Sequence, residues 1–177
     1  GGVAKLPAQA DLRKSKSNEC IFAANIRYHN GYFYIITTNF AEFKTFIIRG
    51  KLNSDGIIEW EKSLVEINVP GIDPDVYFEN DRTYVQFTGY IDDKGTKAIR
   101  QVEIDLATGE ILDGPRILTY GTGGRDVEGP HIFKKDGWYY LLVAEGGTGE
   151  GHMITIFRSK ELWGSYESAP TNPIFTN

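Results

Sequence analysis

The chain has 177 residues, 41% apolar and 24% charged, with a formal net charge of −5 at neutral pH. That length suits one compact domain, and the proportions are ordinary for a globular protein. The negative balance argues against nucleic-acid or anionic-membrane partners, no apolar run approaches the ~20 residues that cross a bilayer, and a single cysteine excludes an internal disulfide.

In chain order, residues 1–19 read as an irregular lead-in segment, with Lys and Ser interspersed and little periodicity. The start at Gly1-Gly2, without a Met, reads as a cloning scar or a cut end. Cys20, next to Ile21 and Phe22, reads as a small buried hydrophobe. A pattern then begins that recurs three times: a strand, a tight turn, and an aromatic-rich strand. The copies are Ile26–Asn39, Val76–Gly89 and Ile132–Glu145. Asn30-Gly31 and Asp136-Gly137 are hairpin dipeptides, because type I′ turns need positive φ at both central residues, and Asn80-Asp81 takes the matching place.

Each copy is followed by a second strand pair. These run from Thr45–Arg49 to Ile57–Trp60, from Ala98–Ile104 to Glu110–Leu112, and from Met153–Phe157 to Leu162–Tyr166. Asn30, Asn80 and Asp136 lie 50 and 56 residues apart, so the unit is four strands repeated at about fifty residues. That is the signature of propeller blades and predicts an all-β chain with blades at about 20–68, 69–120 and 121–177. Aromatic residues, at 13%, suit such strands. Ser159–Trp163 is the one segment that reads as a single helical turn. Three blades are fewer than the four to eight with which propellers close, so the chain is expected to be part of a propeller or to self-associate through its edges.

Ligands of propellers bind at one end of the central channel, where the starts of the innermost strands converge. Counting back seven or eight residues from each hairpin turn gives Phe22, Asp73 and Glu128. Two of these are carboxylates in stiff contexts, Gly71-Ile-Asp-Pro-Asp75 and Val127-Glu-Gly-Pro-His131. A facing pair of acids is the minimum equipment for glycoside hydrolysis, and loop acids solvating a strand entrance are the plain alternative.

Gly71–Phe78 resembles the motif of the middle catalytic Asp of glycoside hydrolase family 43, and Val127–Lys134 resembles that family's general-acid motif. Ile26–Gly31, Gly121–Arg125, Ala144–Thr148, His152-Met153, Trp163–Glu167 and Asn172–Ile174 resemble its β-xylosidase-like branch, so the likeness covers about residues 9–177. The resemblance implies a partial five-bladed propeller in which Glu128 is the general acid and Asp73 orients it and modulates its pKa. It implies inverting hydrolysis of xylosidic or arabinofuranosidic bonds in plant hemicellulose, with xylo- or arabino-oligosaccharides as ligands.

The family's general base is an Asp in a Pro-Asp-Pro motif of the first blade, and residues 1–70 hold no such motif. Asp11 matches a non-catalytic stretch that follows that blade. The chain is therefore expected to lack the first blade and to be inactive alone. Phe22 stands where the family often has Trp, either as a sugar-stacking face or as plain core. Arg125 and His152 are substrate-binding candidates, against the readings of a solvated loop arginine and a loop cap. His131, three residues from Glu128, is the candidate for supporting the acid. The family's metal site uses a His from a later blade, so no metal and no cofactor are expected here.

The Gly146–Gly151 run lacks the lysine of a phosphate loop and leads into a strand, which leaves a blade connection. A non-catalytic carbohydrate-binding module and a propeller interaction module are the other two readings. The parent protein is expected in the cytoplasm or periplasm.

Overall fold

The computed structural model describes residues 12, 15, 16 and 18–177, so Asp11 and most of the lead-in segment lie outside the described residues. Every regular element among the described residues is a strand. The first sheet contains β1 (Ile21–His29), β2 (Tyr32–Asn39), β3 (Lys44–Leu52), β4 (Ile58–Trp60) and β5 (Val65–Ile67). The second contains β6 (Ile72–Glu79), β7 (Arg82–Tyr90), β8 (Lys97–Ile104) and β9 (Ile111–Thr119). The third contains β10 (Glu128–Lys135), β11 (Trp138–Glu145), β12 (Met153–Ser159), β13 (Glu167–Ser168) and β14 (Phe175–Thr176).

All pairings are antiparallel and, apart from β5 on β3 and β14 on β12, sequential, so each sheet is a four-layer meander, a propeller blade. The outermost layer differs between blades. In the first it is split, because β4 pairs with one end of β3 and β5 with the other. In the third it is split again, with β13 and β14 both on β12. The sequence pattern placed the last outer strand at Leu162–Tyr166. Those residues instead form a turn, in which Leu162 and Tyr166 are buried and the Tyr166 hydroxyl donates to the Leu162 carbonyl at 3.1 Å. Their apolar character serves core packing rather than strand pairing.

The three inner hairpins turn as their dipeptides dictate. Asn30 and Gly31 have φ of 46° and 83°, Asn80 and Asp81 of 50° and 61°, and Asp136 and Gly137 of 50° and 74°. Residues with short polar side chains, or none, take this region at least cost.

The innermost strands are β1, β6 and β10, with β6 against both of the others. Two apolar layers hold the blades together. Tyr34, Ile36, Ile47, Val76, Val85 and Phe87 belong to the layer between the first and second blades. Ile99, Val127, Ile132, Leu141, Val143 and Phe157 belong to the layer between the second and third. The middle blade is covered on both faces, and β7 is accordingly buried from Thr83 to Gly89 without alternation. Each such side chain stabilises by about 1.5–3 kcal/mol relative to exposure.

The flanking blades alternate instead. On β1, Asn25, Arg27 and His29 face β6, and Ile26 and Tyr28 on the opposite face are exposed. The chain is thus an all-β partial propeller of three blades.

Candidate active site

The three inner strands share one irregularity at the same end. The register slips between Ile21 and Ala24 on β1, between Ile72 and Asp75 on β6, and between Glu128 and His131 on β10. Each slip is a β-bulge, in which two residues oppose one and a side chain is re-aimed. Phe22, Asp73 and Glu128 all sit at these bulges.

The register also corrects the counting from the turns. Ile72 pairs with Thr88 and Glu128 with Ala144, positions that correspond in β7 and β11, so the counterpart of Asp73 is Gly129. Asp73 and Gly129 have φ of 52° and 59°. The acids therefore leave the two bulges one residue apart, Glu128 where the slip begins and Asp73 inside it.

The two acids nevertheless lie within each other's field. The Gly129 N–H donates to the Asp73 carboxylate, which links one bulge to the other. Burial raises the pKa of Asp73 above the usual carboxylate value, against the Gly129 N–H, the charge of Lys97 and, when it is protonated, His131. Burial also raises that of Glu128, and the charge on Asp73 raises it further, while Lys97 and His152 oppose them. Both acids are thus biased toward the protonated form, the state an acid must hold in order to donate a proton.

The other candidates lie around this pair at different depths. His152 donates from Nδ1 to the Gly147 carbonyl at 2.7 Å, and in its protonated form its charge opposes the rise at Glu128. Arg125 lies along Gly147, where a Cβ would fall 2.4 Å from the guanidinium, and its Nε meets Asp126 at 2.9 Å. Phe22 stacks on Phe40, with ring centroids 4.6 Å apart, and remains 45% exposed, so a plain core role does not describe it. Phe40 and Phe43 line an apolar cleft of about 540 Å3 with Gly71, Ile72, Tyr90 and Lys97, which joins the aromatic group to the Asp73 bulge.

The sequence reading missed three residues. Asp75, two residues after Asp73, is fully buried and accepts five hydrogen bonds. Arg27 donates through Nε at 2.9 Å and Nη2 at 2.6 Å, Asn25 at 2.5 Å, Gln86 at 2.8 Å and the Ile132 N–H at 3.0 Å. Asn25 Nδ2 also reaches His131 Nδ1 at 2.8 Å. Donation to a carboxylate identifies this atom as the amide nitrogen, so His131 accepts at Nδ1 and carries its proton on Nε2. Asn25, Asp75 and His131 stand four residues before the last paired residue of their hairpins, a polar position in all three copies that aligning the repeats would have exposed.

Glu145 is also fully buried. It accepts from the N–H groups of Thr122 and Gly124 and from the hydroxyls of Thr122 and Thr155, fixing the loop that leads to Glu128. Lys97, which pairs with Asp126 at 2.6 Å, is the third. Cys20 is only partly buried, its thiol on the Lys16 carbonyl at 2.8 Å. Among the described residues, no three His, Cys, Asp or Glu side chains come together as metal ligands.

A model of the glycosyl hydrolases family 43 matches residues 3–177. The chain belongs to family 43. Among curated relatives, a xylosidase/arabinosidase of Butyrivibrio fibrisolvens is 40% identical over 98% of this chain and 34% of its own length. A non-reducing end α-L-arabinofuranosidase of Bacteroides ovatus is 35% identical over 88% of this chain and 28% of its own length. Among solved structures, a xylan β-1,4-xylosidase of Bacillus halodurans superposes with a TM-score of 0.83 at 29% identity, covering 96% of this chain and 34% of that one. The chain thus spans about a third of the length of these family 43 relatives.

Proposed function

We propose that this chain contributes the proton-donating half of an inverting glycosidase acting on xylosidic or arabinofuranosidic bonds of plant hemicellulose. The observation that carries the reading is Glu128 at the bulge of β10, held toward its protonated form by burial and by the charge of Asp73 at the neighbouring bulge of β6. Glu128, the general acid, protonates the glycosidic oxygen as its bond to the anomeric carbon breaks. Asp73 holds Glu128 in place and, by its charge, keeps the proton on it until transfer. Water then attacks the anomeric carbon from the opposite face, its proton taken by a general base.

No carboxylate among the described residues is assigned as that base. Asp126, the other carboxylate acting on Glu128, is committed to Lys97 and Arg125. The chain by itself is accordingly inactive. Phe22, Arg125 and His152 bind the oligosaccharide, and His131 supports the site through Asn25. The exposed outer faces, with Ile26 and Tyr28 on one flank and Phe133 and Phe175 on the other, support self-association of the isolated chain.

The test is turnover of aryl β-xyloside and aryl α-arabinofuranoside by this chain and by the longer protein that carries the preceding blade. The longer protein is expected to hydrolyse one or both, and Glu128→Gln to lower its rate by about 10²–10⁴. Turnover by the short chain that survives Glu128→Gln refutes the assignment.

A further inference from the structure

The segment that delivers Glu128 is tied to the second blade by two side chains that the acid pair does not explain. Thr88 Oγ1, on β7, donates to the Val127 carbonyl at 3.1 Å. Lys97 Nζ, at the start of β8, meets Asp126 Oδ1 at 2.6 Å. Thr88 is also the partner of Ile72, the residue before Asp73, so one short stretch of the second blade touches both bulges. Asp126 holds φ at 56°, a conformation that a non-glycine residue adopts at a cost and that here turns its carboxylate toward Lys97. Neither partner is fully solvated, with side-chain exposures of 20% for Lys97 and 31% for Asp126.

Lys97 also lines the apolar cleft beside Ile72, so its side chain is held against the Asp73 bulge while its ammonium meets Asp126. We propose that Lys97 and Asp126 are a positioning pair for Glu128, in which Asp126 draws the ammonium away from the two site acids and so governs when Glu128 gives up its proton. The proposal rests on the assignment of Glu128 as the acid and deepens it by naming what regulates it.

The physical argument is one of competition for a single cation. Lys97 has three carboxylates within its field, Asp126 in contact and Asp73 and Glu128 beyond it. The groups acting on Glu128 are Asp73 from β6, Lys97 from β8, Asp126 from the loop before β10, and His152 from the segment before β12. Arg125 bears on Asp126, and His131 on Asp73. While Asp126 holds the ammonium, its own negative charge offsets the field of Lys97 at Glu128, and the protonated form of Glu128 is favoured. Remove Asp126 and the ammonium is free to pair with Glu128 or Asp73, favouring their charged forms. Remove Lys97 and Asp126 becomes a third uncompensated negative charge near the acids.

The two single substitutions must therefore act in opposite directions, which a merely structural tie does not predict. The experiment follows the side-chain carboxyl 13C resonances of Glu128 and Asp73 against pH in this chain, which needs no turnover. Asp126→Asn is expected to move the Glu128 midpoint down by about half a pH unit or more, and Lys97→Met to move it up by a similar amount. Lys97→Arg, which keeps the charge, is expected to leave it near that of the unsubstituted chain. Thermal unfolding of each variant checks that the fold persists, and Lys97→Arg carries the test if Lys97→Met fails to fold.

Shifts of the same sign in Asp126→Asn and Lys97→Met, no shift in either, or a large shift in Lys97→Arg overturn the proposal. Failure of the acid assignment would appear elsewhere, as unimpaired hydrolysis by Glu128→Gln in the longer protein.

Discussion

Asp73 and Asp75 are two residues apart on one strand and live under opposite rules. Asp75, in the regular part of β6, is fully buried and accepts five hydrogen bonds, from Arg27, Asn25, Gln86 and the β10 backbone. Asp73, inside the bulge, is only partly buried, and a single backbone N–H with the field of Lys97 offsets its desolvation. The saturated carboxylate fastens three inner strands together and has no capacity left for chemistry. The under-satisfied one carries a proton more readily and is free to act on its neighbour. A bulge between them is what lets one short segment, Asp73-Pro74-Asp75, supply both kinds of acid.

The sharpest way to break that comparison is to truncate each acid. Asp75→Ala strands the partly buried Arg27 guanidinium and three further donors, and is expected to cost about 3–5 kcal/mol in urea unfolding. Asp73→Asn is expected to be near neutral or slightly stabilising in the same assay. A similar loss for both would mean that the bulge acid is structural after all.

Glycines at the two bulges extend the contrast. A Cβ at Gly71 would fall 2.1 Å from the Thr88 carbonyl oxygen, so Gly71→Ala must displace backbone and is expected to cost about 3 kcal/mol. At Gly129 the nearest atom to a Cβ is 3.9 Å away, and the only penalty is the positive φ. Gly129→Ala is therefore expected to cost about 1 kcal/mol, with thermal unfolding of both variants as the measure.

The smallest effect concerns pH. Burial and Asp73 raise the pKa of Glu128 in the folded state, so the native fold favours its protonated form. The associated stability is present below the unfolded value and is lost as pH rises through the folded one. Glu128→Gln removes the titration, and its Tm relative to the unsubstituted chain should rise with pH across that window. The site is partly solvated and screened, which limits the gain to roughly 1–3 °C at neutral pH. A difference that narrows with rising pH would reverse the sign argued for the site.

The three hairpins and the blade repeat were readable because they rest on local chemistry, the dipeptides Asn30-Gly31 and Asp136-Gly137 and the aromatic strands after them. Counting from the turns picked out Asp73 and Glu128 and family likeness gave them roles, but the count treated them as equivalent. A bulge inserts a residue without any signature as strong as a turn's, so the register offset stayed hidden. Leu162 and Tyr166 looked like a strand because core-facing turns and strands draw on the same residues. Asp75 and Glu145 were passed over because a buried carboxylate is identified by its partners. Those partners, Arg27, Asn25 and Ile132 for one and Thr122, Gly124 and Thr155 for the other, come from distant parts of the chain.

The repeated bulge also bears on how such a site changes over time. Each inner strand carries the same interruption at the same end, and the backbone there accepts Phe22 and Ala23, Asp73 and Pro74, or Gly129 and Pro130. The register slip is thus common to the blades while its contents differ, with positive φ at Asp73 and Gly129 and not at Phe22. Duplicated blades carrying such a slip can acquire, lose or exchange an acid by a single codon change, with no new loop to fold. Chemistry can drift around the ring while the architecture stands still.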